Sequence, residues 1–207
     1  MDNARFLKLI LGVNALLPLG LLLFDAASGT LGANPIEYFL RATGVMTLVM
    51  LLATLAVTPL RKLFGWNILI KSRRMLGLLA FLYCSIHLVT YSIFDKSGNL
   101  TAIIGDVAQR PFIAVGMAAF LVMLPLAVTS TNGAIKKLGG KNWQRLHRLS
   151  YLVAILGVVH FWMIVKSDLF YPALFAAGLA VLFGIRLFYR QTAKNEGQKP
   201  GLALRPD

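Results

Sequence analysis

Six apolar runs, each close to the length that crosses a bilayer, constrain this 207-residue chain more than any other feature. They extend roughly from Phe6 to Phe24, Ala42 to Val57, Leu76 to Phe94, Phe112 to Thr129, Leu149 to Val165 and Leu169 to Phe188. A spanning helix needs about 20 mostly apolar residues, and hydrocarbon offers no hydrogen-bond partners, so such runs must be helices or closed-barrel strands. Their length and their lack of period-two alternation select helices. With 57% hydrophobic and only 14% charged residues, the chain is too apolar for an ordinary soluble domain. The expected fold is an all-α integral membrane protein: a six-helix transmembrane bundle over residues 1–190, then a polar tail, 191–207, expected to be disordered.

A net charge of +13 would suggest a nucleic-acid partner in a soluble protein, but its distribution reads as topology. With the N-terminus placed inside, the inward segments collect seventeen basic residues, among them Arg61, Lys71, Arg73, Arg74, Lys136 and Arg190, against three acids. The outward loops hold four basic residues against Asp25, Glu37, Asp95, Asp106 and Asp168. Positive charge accumulates on the cytoplasmic side of membrane proteins, so both termini are expected to be cytoplasmic and the partner of the surface is the lipid bilayer, not nucleic acid. Arg5 and Lys8 before the first run and Ala26, Ala27 and Ser28 after it give the outline of a signal peptide; with five further spans following, it is expected to stay as the first helix. Glu37 stands four residues before Arg41, a spacing suited to an ion pair if the second helix begins early. A lone cysteine, Cys84, excludes an intrachain disulfide and a cysteine-based metal cluster. No phosphate-binding glycine loop, nucleotide fingerprint or clear internal repeat is present, and no residue stands out as catalytic.

All three histidines lie in or beside two of the runs: His87 in Leu76–Phe94, and His147 and His160 in NWQRLHRLSYLVAILGVVHFWMIVK, read as one helix from Asn142 to Lys166. An ionisable side chain inside a membrane marks a pathway, a relay or a ligand. His87 lies 13 residues beyond Arg74 and His160 lies 12 beyond Arg148, so at about 1.5 Å per residue both sit about 20 Å deep, at one level. Two neutral imidazoles on facing helices make a suitable axial pair for haem iron, leaving no open coordination site and favouring electron transfer. His147 lies about 20 Å nearer the inner side and roughly 140° from His160 around an ideal helix, so it cannot serve the same iron unless the helix is distorted. A proton relay in a transporter or proton-coupled carrier is the competing reading, disfavoured by the scarcity of intramembrane carboxylates. A self-contained ferric reductase would need a nucleotide-binding domain or a separate flavin reductase. Arg73, Arg74 and Arg145 are candidates for gripping a flavin phosphate or haem propionates.

The runs RRMLGLLAFLYCSIHLVTY and NWQRLHRLSYLVAILGVVHFWMIVK, with GWNILIKSRR and NPIEYFLRATG, resemble the MsrQ (YedZ) family, haem-binding membrane subunits of bacterial methionine-sulfoxide reductase systems, over essentially the whole chain. That group is similar to the membrane domains of ferric reductases and NADPH oxidases. The resemblance implies a multi-pass inner-membrane protein binding haem b, one or two, and FMN. It implies an electron donor in the quinone pool or a cytosolic flavin reductase, and as acceptor a periplasmic molybdopterin-containing catalytic subunit that reduces methionine sulfoxide in oxidised proteins. By motif position, His87, His147 and His160 correspond to the family's haem-associated histidines. Three histidines rather than two pairs leave a second haem open.

Overall fold

A computed structural model of the chain describes residues 2–197. Its elements, in order, are α1 (Asn3–Ala27), α2 (Pro35–Phe64), a 3-10 turn (Asn67–Ser72), α3 (Arg73–Thr90) continued by a π turn (Tyr91–Asp95), α4 (Leu100–Gln109), α5 (Pro111–Val128), α6 (Asn132–Leu138), α7 (Gly140–His147), α8 (Leu149–Ile164) and α9 (Phe170–Gly197). Six helical stretches among the described residues are long and apolar enough to cross a membrane, in agreement with the six runs. Three features differ from the sequence expectation. The Asn142–Lys166 run is broken at Arg148 and its helix stops at Ile164; the outward stretch between the third and fourth runs, after Phe94 and before Phe112, contains α4; and the tail expected to begin at Gln191 continues as helix to Gly197. Positions 198–207 of that tail lie outside the described residues.

Local chemistry sets the boundaries. Asn34 caps α2 by accepting from the Glu37 amide at 3.2 Å, Pro35 occupies its first turn, and Glu37 pairs with Arg41 at 2.5 Å. The early start of α2 thus makes the i,i+4 pair that the spacing allowed. Gly65 ends the helix at φ 70°, a left-handed position that glycine takes without steric cost, its amide donating to the Arg61 carbonyl. Asn99 caps α4 through the Ala102 amide at 3.1 Å.

The central helix is α2, whose Leu48, Leu51 and Leu55 pack with Leu76, Leu79, Ala80 and Tyr83 of α3 and with Val153, Ala154 and Val158 of α8. Lipid is as apolar as leucine, so association in a bilayer relies on close packing, and small residues permit it. A Cβ on Gly157 would stand 2.9 Å from Leu48 Cδ2, and one on Gly178 3.3 Å from Leu52 Cδ2. Helices α1 and α9 turn rows of exposed Leu, Val and Phe outward, as lipid-facing helices do. α1 is pinned by Tyr83, whose buried hydroxyl donates to the Ala15 carbonyl at 2.6 Å.

An even number of spans returns the chain to its starting end. Lys8 lies with Lys71 about one cavity, and the Lys62 ammonium stands 4.9 Å over the Tyr189 ring, so the start of α1, the 3-10 turn and the last turns of α9 share this basic end. The opposite end carries every ion pair found among the described residues: Glu37–Arg41, and the network in which Asp106 meets Lys96 at 2.7 Å and Arg110 at 3.5 Å, with Lys96 also 3.3 Å from Asp95. Tyr91 donates to the same Asp106 carboxylate at 2.9 Å. The Lys96 ammonium and the Tyr91 hydroxyl hold the Asp106 carboxyl below its ordinary range, and Asp106 in turn raises Lys96.

Candidate functional site

Two helix pairs, α2 with α3 and α5 with α8, each seat one histidine in the same way. On the first, His87 of α3 directs Nδ1 at the Leu40 carbonyl of α2, 3.0 Å away, with Thr43 Oγ1 at 3.4 Å. On the second, His160 of α8 directs Nδ1 at the Phe112 carbonyl of α5, 2.6 Å away. Four residues beyond each carbonyl stands a glycine, Gly44 or Gly116, directly against the ring. A Cβ on Gly44 would lie 3.3 Å from His87 Cε1, and one on Gly116 would lie 2.7 Å from His160 Cε1. Each glycine therefore vacates the space its imidazole occupies, and the Gly116 seat admits no side chain without movement.

These contacts fix the tautomer. A backbone carbonyl can only accept, so each Nδ1 carries the proton and each Nε2 keeps a lone pair. Thr43 agrees: its hydroxyl proton goes to the Phe39 carbonyl at 2.8 Å, leaving its oxygen to accept from His87. Histidines that ligate metals through Nε2 are held this way, with the other nitrogen donating to a carbonyl. The two rings lie with centres 6.3 Å apart and planes at 89°. Metal–imidazole bonds of about 2.0–2.1 Å, added to about 1.1 Å from nitrogen to ring centre on each side, span about 6 Å. The pair is therefore spaced to share one metal. Among the described residues no three His, Cys, Asp or Glu side chains gather as a metal site. Two protein nitrogens suit a metal whose remaining ligands come with it, as those of the iron of a porphyrin do.

His147 does not join the pair. It closes α7 ahead of the Arg148 break and stacks on Trp143 at 3.9 Å. Its Nε2 lies 3.1 Å from Thr129 Oγ1. That hydroxyl gives its proton to the Pro125 carbonyl at 2.6 Å, so Nε2 of His147 donates and Nδ1 holds the lone pair, the reverse of the other two histidines. Trp143 Nε1 donates to the Thr129 carbonyl at 2.9 Å, docking α7 on the end of α5.

The three arginines singled out from sequence separate. Arg73 lies within electrostatic reach of His147 and of Arg186. Arg74 faces elsewhere, its Nη1 donating to Asn132 Oδ1 at 2.6 Å. Arg145 is exposed. Arg186 of α9, which the sequence offered only as a topology charge, is the more telling cation. It stands 5.2 Å over the Tyr151 ring and donates through Nη2 to the Leu55 carbonyl. That carbonyl would pair with the amide of residue 59, which is proline and has none. Nε and Nη1 of Arg186 are buried without a hydrogen-bond partner among the described residues. Arg186 borders a cavity of about 320 Å³ at the basic end, lined also by Lys62, Arg190, Tyr151 and Tyr189.

Sequence reasoning missed Leu40, Thr43, Gly44, Phe112, Gly116 and Thr129. One signal was available: LRATG and FIAVG share an apolar residue, an alanine and a glycine at matching positions.

Residues 40–158 match the ferric reductase like transmembrane component family. The chain is 49% identical over 185 residues to a protein-methionine-sulfoxide reductase heme-binding subunit MsrQ of Herminiimonas arsenicoxydans, covering 88% of this chain and 85% of that one. It is 45% identical to the MsrQ of Rhodospirillum rubrum, covering 96% of each, and 43% identical to that of Ralstonia nicotianae, covering 98% and 94%. No solved structure matches the chain. Six spans and relatives matched along almost their full length identify the chain as a member of the MsrQ family of haem-binding subunits, within the ferric-reductase-like membrane proteins.

Proposed function

We propose that this protein is the electron-transfer subunit of a methionine-sulfoxide reductase system of the bacterial inner membrane, with haem b held between His87 and His160. The observation that carries the reading is the paired seat: two Nδ1 protons fixed on the Leu40 and Phe112 carbonyls, two free Nε2 lone pairs, and 6.3 Å between ring centres. Bound there, haem supplies one-electron exchange at an iron closed to substrate. Leu40, Thr43 and Phe112 hold the imidazoles in the ligating tautomer, and Gly44 and Gly116 leave the rings room. Neither ring touches a carboxylate and both Nδ1 protons are committed to carbonyls, which favours ligation over the proton relay a carrier would need.

The basic end is proposed to be cytoplasmic, as the charge bias supports, and the His87–His160 level then lies toward the periplasm. Electrons from the quinone pool or a cytosolic flavin reductase would enter at the basic end and leave outward to a molybdopterin-containing catalytic partner, which reduces methionine sulfoxide. FMN is assigned to the cavity beside Tyr151. There Lys62, Arg186 and Arg190 suit a phosphate, Tyr151 and Tyr189 suit a flat ring system, and Arg73 links the cavity electrostatically to His147.

The test is haem quantified per chain, by pyridine haemochrome and a reduced-minus-oxidised spectrum, in His87→Ala, His160→Ala and His147→Ala. The first two are expected to lose most haem and the third to retain some. Full haem retention in both of the first two overturns the axial pair.

A further inference from the structure

A second cavity, about 470 Å³, opens at the basic end between α1 and α3, away from the His147–Arg186 region. Its mouth carries three cations from three elements: Lys8 of α1, Lys71 of the 3-10 turn and Arg74 of α3. Its wall is apolar, made by Leu78, Leu79 and Leu82. Positions 74, 78 and 82 recur every four residues, so they share one face of α3, and at about 1.5 Å per residue the wall continues about 12 Å past the charge. Leu78 and Leu82 are 39% and 38% exposed, so the wall is open along its length. No carboxylate pairs with any of the three cations among the described residues, and all ion pairs found there lie at the opposite end of the bundle. Among the described residues the one side-chain hydrogen bond at the mouth is the neutral Arg74–Asn132 bond. α1 packs at the basic end against the 3-10 turn that carries Lys71 and is tied to α3 further along by Tyr83, while it touches α3 itself sparingly, and the groove opens between these two attachments along Leu78 and Leu82.

Three unpaired cations at headgroup level above an open apolar slot match an anionic head joined to an acyl chain. Basic pockets between spanning helices take such headgroups. A soluble phosphate would leave the leucine wall bare, and a zwitterionic lipid would bring a fourth positive charge to the mouth. From these observations we infer that the groove between α1 and α3 is a binding site for one anionic glycerophospholipid, its phosphate on Lys8, Lys71 and Arg74 and an acyl chain along Leu78 and Leu82. The lipid fills the gap that α1 leaves and fastens the first helix to the bundle. This inference does not depend on haem.

The experiment titrates the full-length protein, in uncharged detergent, with phosphatidylglycerol, phosphatidylcholine or inorganic phosphate, and counts bound lipid by native mass spectrometry. Phosphatidylglycerol is expected to saturate at one tightly held molecule, with affinity at least tenfold weaker in Lys8→Gln/Lys71→Gln/Arg74→Gln and in Leu78→Trp, which fills the slot while keeping the cations. Lys136→Gln/Lys137→Gln, at the same end but outside the groove, is expected to change affinity less than twofold. Equal retention in the wild type and Leu78→Trp overturns the site, as does an equal loss in the Lys136/Lys137 variant, which would mean diffuse attraction. Phosphatidylcholine binding as tightly overturns the charge requirement, and displacement by millimolar phosphate overturns the lipid in favour of a soluble anion. If the triple variant does not fold, Lys71→Gln alone and Leu78→Trp decide.

Discussion

Replacing Gly116 by alanine tests the histidine seat with a single methyl group. The new Cβ would stand 2.7 Å from Cε1 and 2.8 Å from Nδ1 of His160. Carbon atoms in contact settle at about 3.5–4.0 Å, so the ring must retreat about 1 Å. It cannot swing freely, because Nδ1 is tied to Phe112 of the same α5 helix that carries the methyl. Metal sites tolerate about 0.2 Å of ligand displacement, so the shift is about five times the allowance. Overpacking of this kind costs about 1–3 kcal/mol, which at about 1.4 kcal/mol per decade weakens haem retention about 5- to 150-fold. Gly44→Ala meets His87 at 3.3 Å, needs a few tenths of an ångström, and should fall between Gly116→Ala and a control. Gly184→Ala on α9 meets nothing within 4 Å and is that control. The assay is haem per chain together with the folded fraction by size exclusion. A Gly116→Ala protein with full haem and an unchanged spectrum would refute the seat, and so would equal losses in all three variants.

Thr43→Val removes the hydroxyl that accepts from His87 while nearly keeping the side chain's shape; haem content should hold and the midpoint potential should move, and an unmoved potential in spectroelectrochemical titration rejects that role. An ordinary aspartate titrates near pH 3.9, and Asp106 lies lower in the fold, so its network with Lys96 and Tyr91 adds stability that is fully present above about pH 4. That stability drains as pH falls below about 4 and through the lowered value, so Asp106→Asn should flatten the acid limb of thermal unfolding below about pH 4 and leave it unchanged above; parallel limbs in the two proteins below about pH 4 count against it. Arg186→Met strands the Leu55 carbonyl and should cost about 1–3 kcal/mol of stability. Adding Pro59→Ala restores the missing amide and should recover much of the loss, whereas additive effects in the double-mutant cycle would disprove the link.

Which features were legible in the sequence follows from how far each depends on distant neighbours. Six spans follow from run length alone, and the level shared by His87 and His160 follows from counting along two helices from Arg74 and Arg148. The carbonyls that orient those rings come from residues 47 and 48 positions away, so neither Leu40 nor Phe112 announces itself. Gly44 and Gly116 look like ordinary small residues of membrane helices until a ring lies against them. Helix α4 went unread because Gly98, Asn99 and Gly105 resemble turn residues, although Asn99 is its cap. The break at Arg148 was equally hidden, since nothing in RLHRLS forbids a helix; Trp143 and His147 dock on Thr129 just before it. Arg186 reads as one more positive-inside charge until Pro59 is seen to lack the amide that Leu55 needs.

That last arrangement has an electrical consequence. A guanidinium anchored by a carboxylate would be neutralised by it; one anchored by a carbonyl keeps its whole charge. The proline thus installs a positive charge at a fixed point beside Tyr151, with no counter-ion to shield it among the described residues. An electron arriving about 10 Å from that point is stabilised by about 1.7 kcal/mol at an effective dielectric of about 20. The ring that denies α2 one backbone bond thereby makes the basic end of the bundle a place where negative charge is easier to hold.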